Sequence, residues 1–344
     1  MNQLALQIDR SATLGELQAA SARLDAMVPA LHGSGVQAAR IAEIVSALNA
    51  QLFSRLWALL APAEVIANSC LLVMGSEGRG EQILKTDQDN ALLLRDGFEW
   101  PALDALATRF NGVLADWGYP PCPGDIMLTN PLWRQPLAAF RETLRFWVYG
   151  DDGVVPVDGP MDLAIFFDAV AVAGDATLLQ AARAQLDRLL DGHDGYVARF
   201  AAPADQFAEP GGWLARLAAT LHVPHEEPPL DIKKLGLFPI VHGARALALQ
   251  HGVHEASTAA RLNSLARQGR VDPALAGDAV DALHGLMDLR LTQQLRLRAQ
   301  GGLAGNEITP ADLSEPERTQ LHAALASVKR WRAFLRQHFQ LDAL

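Results

Sequence analysis

Two short apolar segments, with a glycine-rich loop and a pair of aspartates between them, constrain this chain more than any other feature. The first segment, residues 69–74, has the length of a strand and leads into Gly75-Ser76 and further glycines. Asp87 and Asp89 then precede the second segment, residues 90–94. Apolar runs of this length, bounded by glycine and polar residues, predict two buried strands with the polar residues gathered between them.

The residue types between these strands suit phosphates and a divalent cation. Residues i and i+2 of an extended segment point to the same face, so Asp87 and Asp89 direct both carboxylates into one site. Two close carboxylates repel each other unless a cation lies between them, and hard oxygen ligands suit Mg²⁺ or Mn²⁺. Gly75 and Ser76 let the backbone approach a phosphate. Each motif alone is common, but their combination in this order indicates metal-assisted phosphoryl-type transfer.

The same stretch resembles the signature of the DNA polymerase β-like nucleotidyltransferase superfamily. The string Gly-Ser-Glu-Gly-Arg-Gly-Glu-Gln, followed by Thr-Asp-Gln-Asp-Asn-Ala-Leu, is similar to one branch of it. That branch is often found beside CBS and cyclic-nucleotide-binding domains and is related to the uridylyltransferases that modify the nitrogen-regulatory PII protein. Residues 118–127 and 165–168 also resemble it, and residues 231–240 and 244–249 resemble its C-terminal substrate-binding helical domain.

The resemblance implies an activity and roles for four residues. Gly75 and Ser76 would contact the phosphates of a nucleoside triphosphate (NTP), and Asp87 and Asp89 would bind Mg²⁺ or Mn²⁺. The reaction would move a nucleoside monophosphate from the NTP to a protein or small-molecule acceptor, with release of pyrophosphate. An adenylyl- or uridylyltransferase-like role in signalling is consistent with this relationship.

A third carboxylate on a later strand usually completes such a site, and the resemblance favours Asp168 as metal ligand and as the group that helps deprotonate the acceptor. Asp125 and Asp162 are its competitors, and a turn or capping role explains Asp168 almost as well. The branch commonly has an arginine two residues after this aspartate, whereas this chain has Val170. The absence of that arginine weighs against Asp168 as the third ligand and against full catalytic activity.

Three basic residues are further candidates for nucleotide binding. Arg79, in the loop, would neutralise triphosphate charge through its planar guanidinium, although a solvated loop arginine is an equal alternative. Lys233 and Arg245 stand in the helical stretches that resemble the family. Their alternative role is to extend from helix faces or to pair with surface acids.

The order of the predicted elements indicates an α+β protein. Residues 36–60 carry apolar positions at helical spacing, residues 126–128 and 163–172 are interpreted as β-structure, and the pattern after residue 175 is almost wholly helical. We therefore predict an N-terminal helical segment (1–65), a catalytic domain with a small mixed sheet (66–202) and a C-terminal helical substrate-binding domain (203–344). Residues 203–229 are the expected irregular connection.

Composition limits the partners. The formal net charge of −10 argues against nucleic acid and against anionic membrane surfaces. The two cysteines, Cys70 and Cys122, are too few for a structural zinc site. Residues 1–17 lack the pattern of a secretory signal, and the most apolar stretch is interrupted by Pro62 and polar residues. We therefore expect a cytoplasmic protein.

Two other functions fit the same motif. A catalytically silent nucleotide-binding regulator would use the loop to sense a nucleotide without turnover, and Val170 lends it support. An aminoglycoside-type nucleotidyltransferase would share the chemistry but act on a polycationic small molecule. Pyrophosphate release separates the first from an active enzyme, and an acidic lining of the acceptor site would favour the second.

Overall fold

The computed structural model describes residues 2–151, 159–206, 229–302 and 305–343. The chain divides into two compact units, Met1–Gly192 and His193–Leu344. The predicted division into three domains stays a prediction, and most of the expected connection at 203–229 lies outside the described residues.

The first unit begins with four helices, α1 (Asn2–Arg10), α2 (Leu14–Gly33), α3 (Ala38–Leu60) and α4 (Ala63–Ala67). A capping box between Thr13 and Glu16 starts α2. Helix α3 confirms the prediction for residues 36–60, because its apolar positions at helical spacing form one buried stripe: Ile41, Val45, Leu48, Leu52 and Leu56. This helix packs against Val170–Gly174, a strand at one edge of the sheet.

The sheet contains four strands: β1 (Ser69–Val73), β2 (Asn90–Leu94), β3 (Arg134–Pro136) and β4 (Val170–Gly174). Their order is β3-β2-β1-β4, with β1 antiparallel to both of its neighbours and β2 parallel to β3. Every residue of β1 and β2 is buried, which accounts for their continuous apolar sequence. The sheet is therefore mixed, as predicted, and the α+β class is confirmed.

The described residues of the first unit form five further α-helices, namely α5 (Gly75–Gly78), α6 (Leu103–Asp116), α7 (Leu137–Tyr149), α8 (Gly159–Phe167) and α9 (Thr177–Leu190). Helices α7 and α9 pack against each other and against β2, and α6 packs against α3. The β-interpretation of residues 163–172 is wrong in its first half, because residues up to Phe167 belong to α8. A short, wholly apolar run fits a buried helix as well as a buried strand.

The predicted short strand at residues 126–128 is also wrong. These residues lie in a loop with a bend and a turn, and the backbone N–H of Leu128 donates to the side-chain oxygen of Asn90 in β2 rather than to a backbone carbonyl. A side chain thus takes the place of a ladder partner.

The second unit is helical, with α10 (Asp194–Ala201), α11 (Phe238–Gln250), α12 (Thr258–Arg267), α13 (Pro273–Ala299) and α14 (Glu315–His338). A small two-stranded sheet joins β5 (Leu230–Asp231) to β6 (Glu307–Ile308), and a π-helix, Lys233–Leu237, leads into α11. Ser257 caps the start of α12, and Ser314 forms a capping box with Glu317 at the start of α14. Over the ranges that the structure describes, no helix has the length and apolarity needed to cross a membrane.

Candidate active site

The end of β1 and the starts of β2 and β4 lie side by side at the same end of the sheet. Val73, the last residue of β1, pairs with Asn90, the first residue of β2, and with Val170, the first residue of β4. The loop after β1 and the segments before β2 and β4 therefore converge there. This topology brings Gly75, Asp89 and Asp168 to one region, although they are far apart in sequence.

Gly75 lies directly against the carboxylate of Asp89. The backbone of Gly75 has a positive φ of 56°, and a Cβ built on it would stand 2.3 Å from Oδ2 of Asp89. The backbone N–H of Met74 donates to the carbonyl oxygen of Asp89 at 2.9 Å, which fixes this approach. Glycine is required here both for the backbone conformation and for space. The predicted small-residue loop and one predicted metal ligand are thus adjacent.

The segment before β2 presents its two aspartates on one side. Asp87 is exposed and Asp89 is partly exposed, whereas Gln88 and Asn90 are buried between and after them. This alternation is the period of an extended chain. Asp87 and Asp89 therefore share the outward face, as the motif predicts.

A buried amide network holds this segment, and sequence reasoning did not single it out. Gln88 donates through Nε2 to the carbonyl oxygens of Asn111 and Tyr119, at 3.1 and 2.8 Å. The amide of Asn111 in turn donates to Oε1 of Gln88 and to Oδ1 of Asn90, at 2.6 and 3.0 Å. Buried amides joined in such a network restrain the backbone that carries them. The network therefore sets the direction in which the two aspartates point.

Cys122 contacts the same carboxylate from the loop after α6. Its thiol is hydrogen-bonded to Asp89, and its sulfur also interacts with the backbone at Ile126 and Gly124. Burial, together with the charge and hydrogen bond of Asp89, raises the pKa of this thiol to about 11. The thiol therefore stays protonated and donates to Asp89 at neutral pH.

Ser76 and Arg79 occupy different surroundings. The hydroxyl of Ser76, which is partly exposed, donates to Oε1 of Gln82 at 3.1 Å. The guanidinium of Arg79 is buried and bonds to two carboxylates, Nε to Glu81 and Nη1 to Asp168, each at 2.6 Å. Burial opposes the charge, but these two carboxylates outweigh it and raise the pKa of Arg79. The predicted role of Arg79 in triphosphate binding stays a prediction.

The three candidates for a third carboxylate differ in position. Asp168 lies in the turn between α8 and β4 and is fully buried. Asp125 is exposed in a turn with a positive φ of 54°, and Asp162 lies in the first turn of α8. Among the described residues, no group of three or more His, Cys, Asp or Glu side chains is arranged to hold a metal ion. The assignment of Asp168 as a ligand stays a prediction.

Asp87 and Asp89 by themselves fit a magnesium ion. Mg²⁺ in nucleotide sites is commonly held by one or two carboxylates, while substrate phosphates and water fill its other positions. Asp87 is exposed and Asp89 is partly exposed, so a phosphate can approach them from solvent. The donor set is purely oxygen, which suits Mg²⁺ or Mn²⁺ better than soft metals.

The N-terminal helices hold both ends of the loop, which sequence analysis missed. Asn49 of α3 donates to Oε2 of Glu77 at 3.1 Å, and the hydroxyl of Tyr119 donates to Oδ1 of Asn49 at 2.8 Å. At the other end of the loop, Lys85 forms an ion pair with Asp25 of α2 at 2.6 Å. Residues outside the catalytic motif thus fix where Gly75 and Asp87 lie.

The remaining two candidates lie in the second unit. Lys233 is exposed at the start of the π-helix, and Arg245 is buried in α11. Their predicted role in nucleotide binding stays a prediction.

Fold and loop together define the class of this protein, a nucleotidyltransferase domain followed by a helical domain. Two family models match the chain: "Putative nucleotidyltransferase DUF294" over residues 22–153, and "Putative nucleotidyltransferase substrate binding domain" over residues 194–339. The chain belongs to this nucleotidyltransferase family, and nucleotidyl transfer is its general activity. None of the curated proteins compared with the chain matches it. Residues 75–89 lie inside the first matched range, whereas Asp168 lies between the two ranges.

Proposed function

We propose that the protein transfers a nucleoside monophosphate from an NTP to a hydroxyl or similar group of a protein or small-molecule acceptor, with Mg²⁺ or Mn²⁺ as cofactor. One observation carries the proposal: the Asp89 carboxylate lies against the bare backbone of Gly75, and Asp87, two residues before it, is exposed. A cation held by these carboxylates would stand next to a backbone that a phosphate can approach.

The chain's own residues would bind and orient the reactants. The missing side chain of Gly75 makes room for the carboxylate of Asp89, and the thiol of Cys122 and the backbone of Met74 keep Asp89 in place. Bound Mg²⁺ would neutralise phosphate charge and hold the phosphates for in-line attack. The acceptor oxygen then bonds to the α-phosphorus, the bond from this phosphorus to the pyrophosphate oxygen breaks, and exposed Asp87 accepts the hydroxyl proton.

The finer assignments form part of the same proposal. The resemblance to enzymes that modify the PII protein supports a protein acceptor and a role in signalling. It leaves adenylyl and uridylyl transfer equally open. We place the reaction in the cytoplasm, where NTP would be supplied.

Metal-dependent nucleotide binding tests the proposal. We expect each NTP that the site accepts, with Mg²⁺ or Mn²⁺, to raise the melting temperature. At an NTP concentration 100 times the Kd, the free energy of unfolding should increase by about 2.7 kcal/mol. Asp87→Asn should need roughly tenfold more NTP for the same effect, because a metal ligand is lost. Asp116→Asn, which changes an exposed aspartate at the end of α6, is the control and should behave as wild type. No metal-dependent stabilisation of wild type by any NTP would refute the proposal.

A silent nucleotide-binding regulator is the second candidate. It is favoured by the burial of Asp168 in an ion pair with Arg79, which leaves two outward carboxylates at the site. Both candidates predict metal-dependent stabilisation by NTP. Release of pyrophosphate in the presence of candidate acceptors is expected only of the enzyme.

A further inference from the structure

Asp168 lies in a buried cluster of charges beneath the loop that follows Gly75. Its side chain has no exposed surface, and that of Arg79 is only 10% exposed. Nη1 of Arg79 stands 2.6 Å from Oδ2 of Asp168, while Nε of the same guanidinium binds Glu81. Arg79 therefore connects two positions of the loop through Glu81, and it connects the loop to the segment before β4 through Asp168.

A second guanidinium lies near Asp168. Arg183 of α9 donates to the carbonyl oxygen of Ala169, the residue next to Asp168. Burial lowers the pKa of Arg183, and the charge of Asp168 acts in the opposite direction. Arg79 is shared between Asp168 and Glu81, and Arg183 is acted on by the charges of both Asp187 and Asp168. The carboxylate of Asp168 is thus already ion-paired inside the protein, which makes it less available to a further cation. Asp87 is in the contrasting situation, since it is exposed on the outward face.

The backbone of Asp168 also supports the loop directly. A Cβ built on Gly78 would stand 2.2 Å from the carbonyl oxygen of Asp168 and 2.9 Å from that of Val73. Helix α5, which begins at Gly75, therefore rests on the turn before β4. A shift of Asp168 toward a metal would disturb this contact as well as the ion pair.

We propose that Asp168 is a positioning residue, which acts through Arg79 to hold the Gly75–Gly78 helix in place, and that the metal is held by Asp87 and Asp89 without it. This inference rests on the proposed function. It assigns Asp168 a role different from the third ligand that the sequence suggests. Arg79 on this view anchors the loop and does not bind the triphosphate.

Binding of Mn²⁺ in the presence of NTP, followed by electron paramagnetic resonance, tests the inference without any turnover. We expect Asp168→Asn to bind Mn²⁺ within about twofold of wild type, whereas Asp87→Asn should lose roughly tenfold or more. In pyrophosphate release, Asp168→Asn and Arg79→Lys should each lower kcat and leave the metal concentration at half-maximal rate unchanged. The double variant should lose no more than the worse single variant, because both act through one contact.

A second variant covers the case in which Asp168→Asn fails to fold, since a buried arginine would lose a partner. Combining Arg79→Met, Glu81→Gln and Asp168→Asn removes this group of three charges together, and the folded variant should keep the Mn²⁺ affinity of wild type. A loss of affinity as large as that of Asp87→Asn, in either variant, overturns the inference alone. Absence of NTP-dependent Mn²⁺ binding in wild type overturns the proposed function, and this inference with it.

Discussion

At the scale of single residues, the chemistry of Glu77 departs clearly from that of an ordinary glutamate. It follows Ser76 in the loop, is 8% exposed, and accepts a hydrogen bond from Asn49. Burial raises its pKa from 4.5 to about 8, and the amide of Asn49 only partly offsets this. At neutral pH the loop therefore carries an uncharged acid near two carboxylates that must attract a cation. A charged Glu77 would add like charge to a buried loop.

The pKa of Glu77 predicts how stability depends on pH. Because the folded protein holds this proton more tightly than the unfolded chain, its contribution to stability is complete below about pH 4.5 and is lost as the pH rises to about 8. Glu77→Gln mimics the protonated acid. Urea unfolding should find the variant more stable than wild type at pH 8 to 9, by an amount on the order of a few kcal/mol, and the difference should shrink toward pH 5.

The control for this prediction is Glu99→Gln, which changes an exposed glutamate in the same unit. Its stability relative to wild type should not vary with pH over this window. A pH-independent difference for Glu77→Gln would mean that Glu77 is ionised in the folded protein at neutral pH.

At the scale of elements, the sequence predicts those features that depend on the pattern of neighbouring residues. The segments that became β1 and β2 are apolar runs with polar ends, and Gly75, Asp87 and Asp89 stand where such a pattern puts them. The partners of these residues are long-range. Arg79 and Asp168 are separated by 89 positions, and Asn49 and Glu77 by 28. No local spacing encodes a contact between side chains that only the sheet order brings together.

One of the two element predictions that failed shows the same limit. Residues 163–167 are apolar enough for a strand, yet they continue α8, and four of the five are buried. Burial on nearly all sides removes the polar positions from which a helical period could be recognised. Asp168 therefore lies in a helix-to-strand turn rather than at the end of a strand, which changed its surroundings entirely.

The turn from β1 into α5 predicts a sharp effect of one methyl group. In Gly75→Ala, the new Cβ would meet Oδ2 of Asp89 at 2.3 Å. The alanine backbone would also have to adopt a φ of 56°. We expect a loss of about 1 to 2 kcal/mol from the backbone alone, together with loss of the metal-dependent stabilisation by NTP, because Asp89 must move. Thermal unfolding with and without Mg²⁺ and NTP measures both effects.

Gly97→Ala is the matched control for the methyl group. Gly97 has a similar φ of 77°, but a Cβ there meets nothing within 4 Å. This variant should show the backbone cost and keep the full NTP response. If Gly75→Ala also kept that response, the contact between Gly75 and Asp89 would not matter for the site.

At the scale of the whole molecule, two compact units with separate cores make a single melting temperature an incomplete description. The loop, the two aspartates and their supports all belong to the first unit, Met1–Gly192. A ligand stabilises whatever must be folded to bind it. The response to nucleotide should therefore differ between the two units, and amide hydrogen exchange can follow each of them separately.

We expect Mg²⁺ and NTP together to slow amide exchange in β1 and β2, whose slowest amides report unfolding of the first core. At 100 times the Kd the gain is about 2.7 kcal/mol, or roughly a hundredfold in exchange rate. The slowest amides of α13 and α14, in the second core, should change little. Asp87→Asn, which should bind NTP roughly tenfold more weakly, is expected to lower the gain in β1 and β2 by about 1.4 kcal/mol at the same NTP concentration and to leave α13 and α14 as in wild type. Equal slowing of exchange in both cores would contradict a site built from the first unit alone. Within the second unit, slowing confined to the amides around Lys233 and Arg245 would support the role in nucleotide binding that the sequence predicts for those two residues.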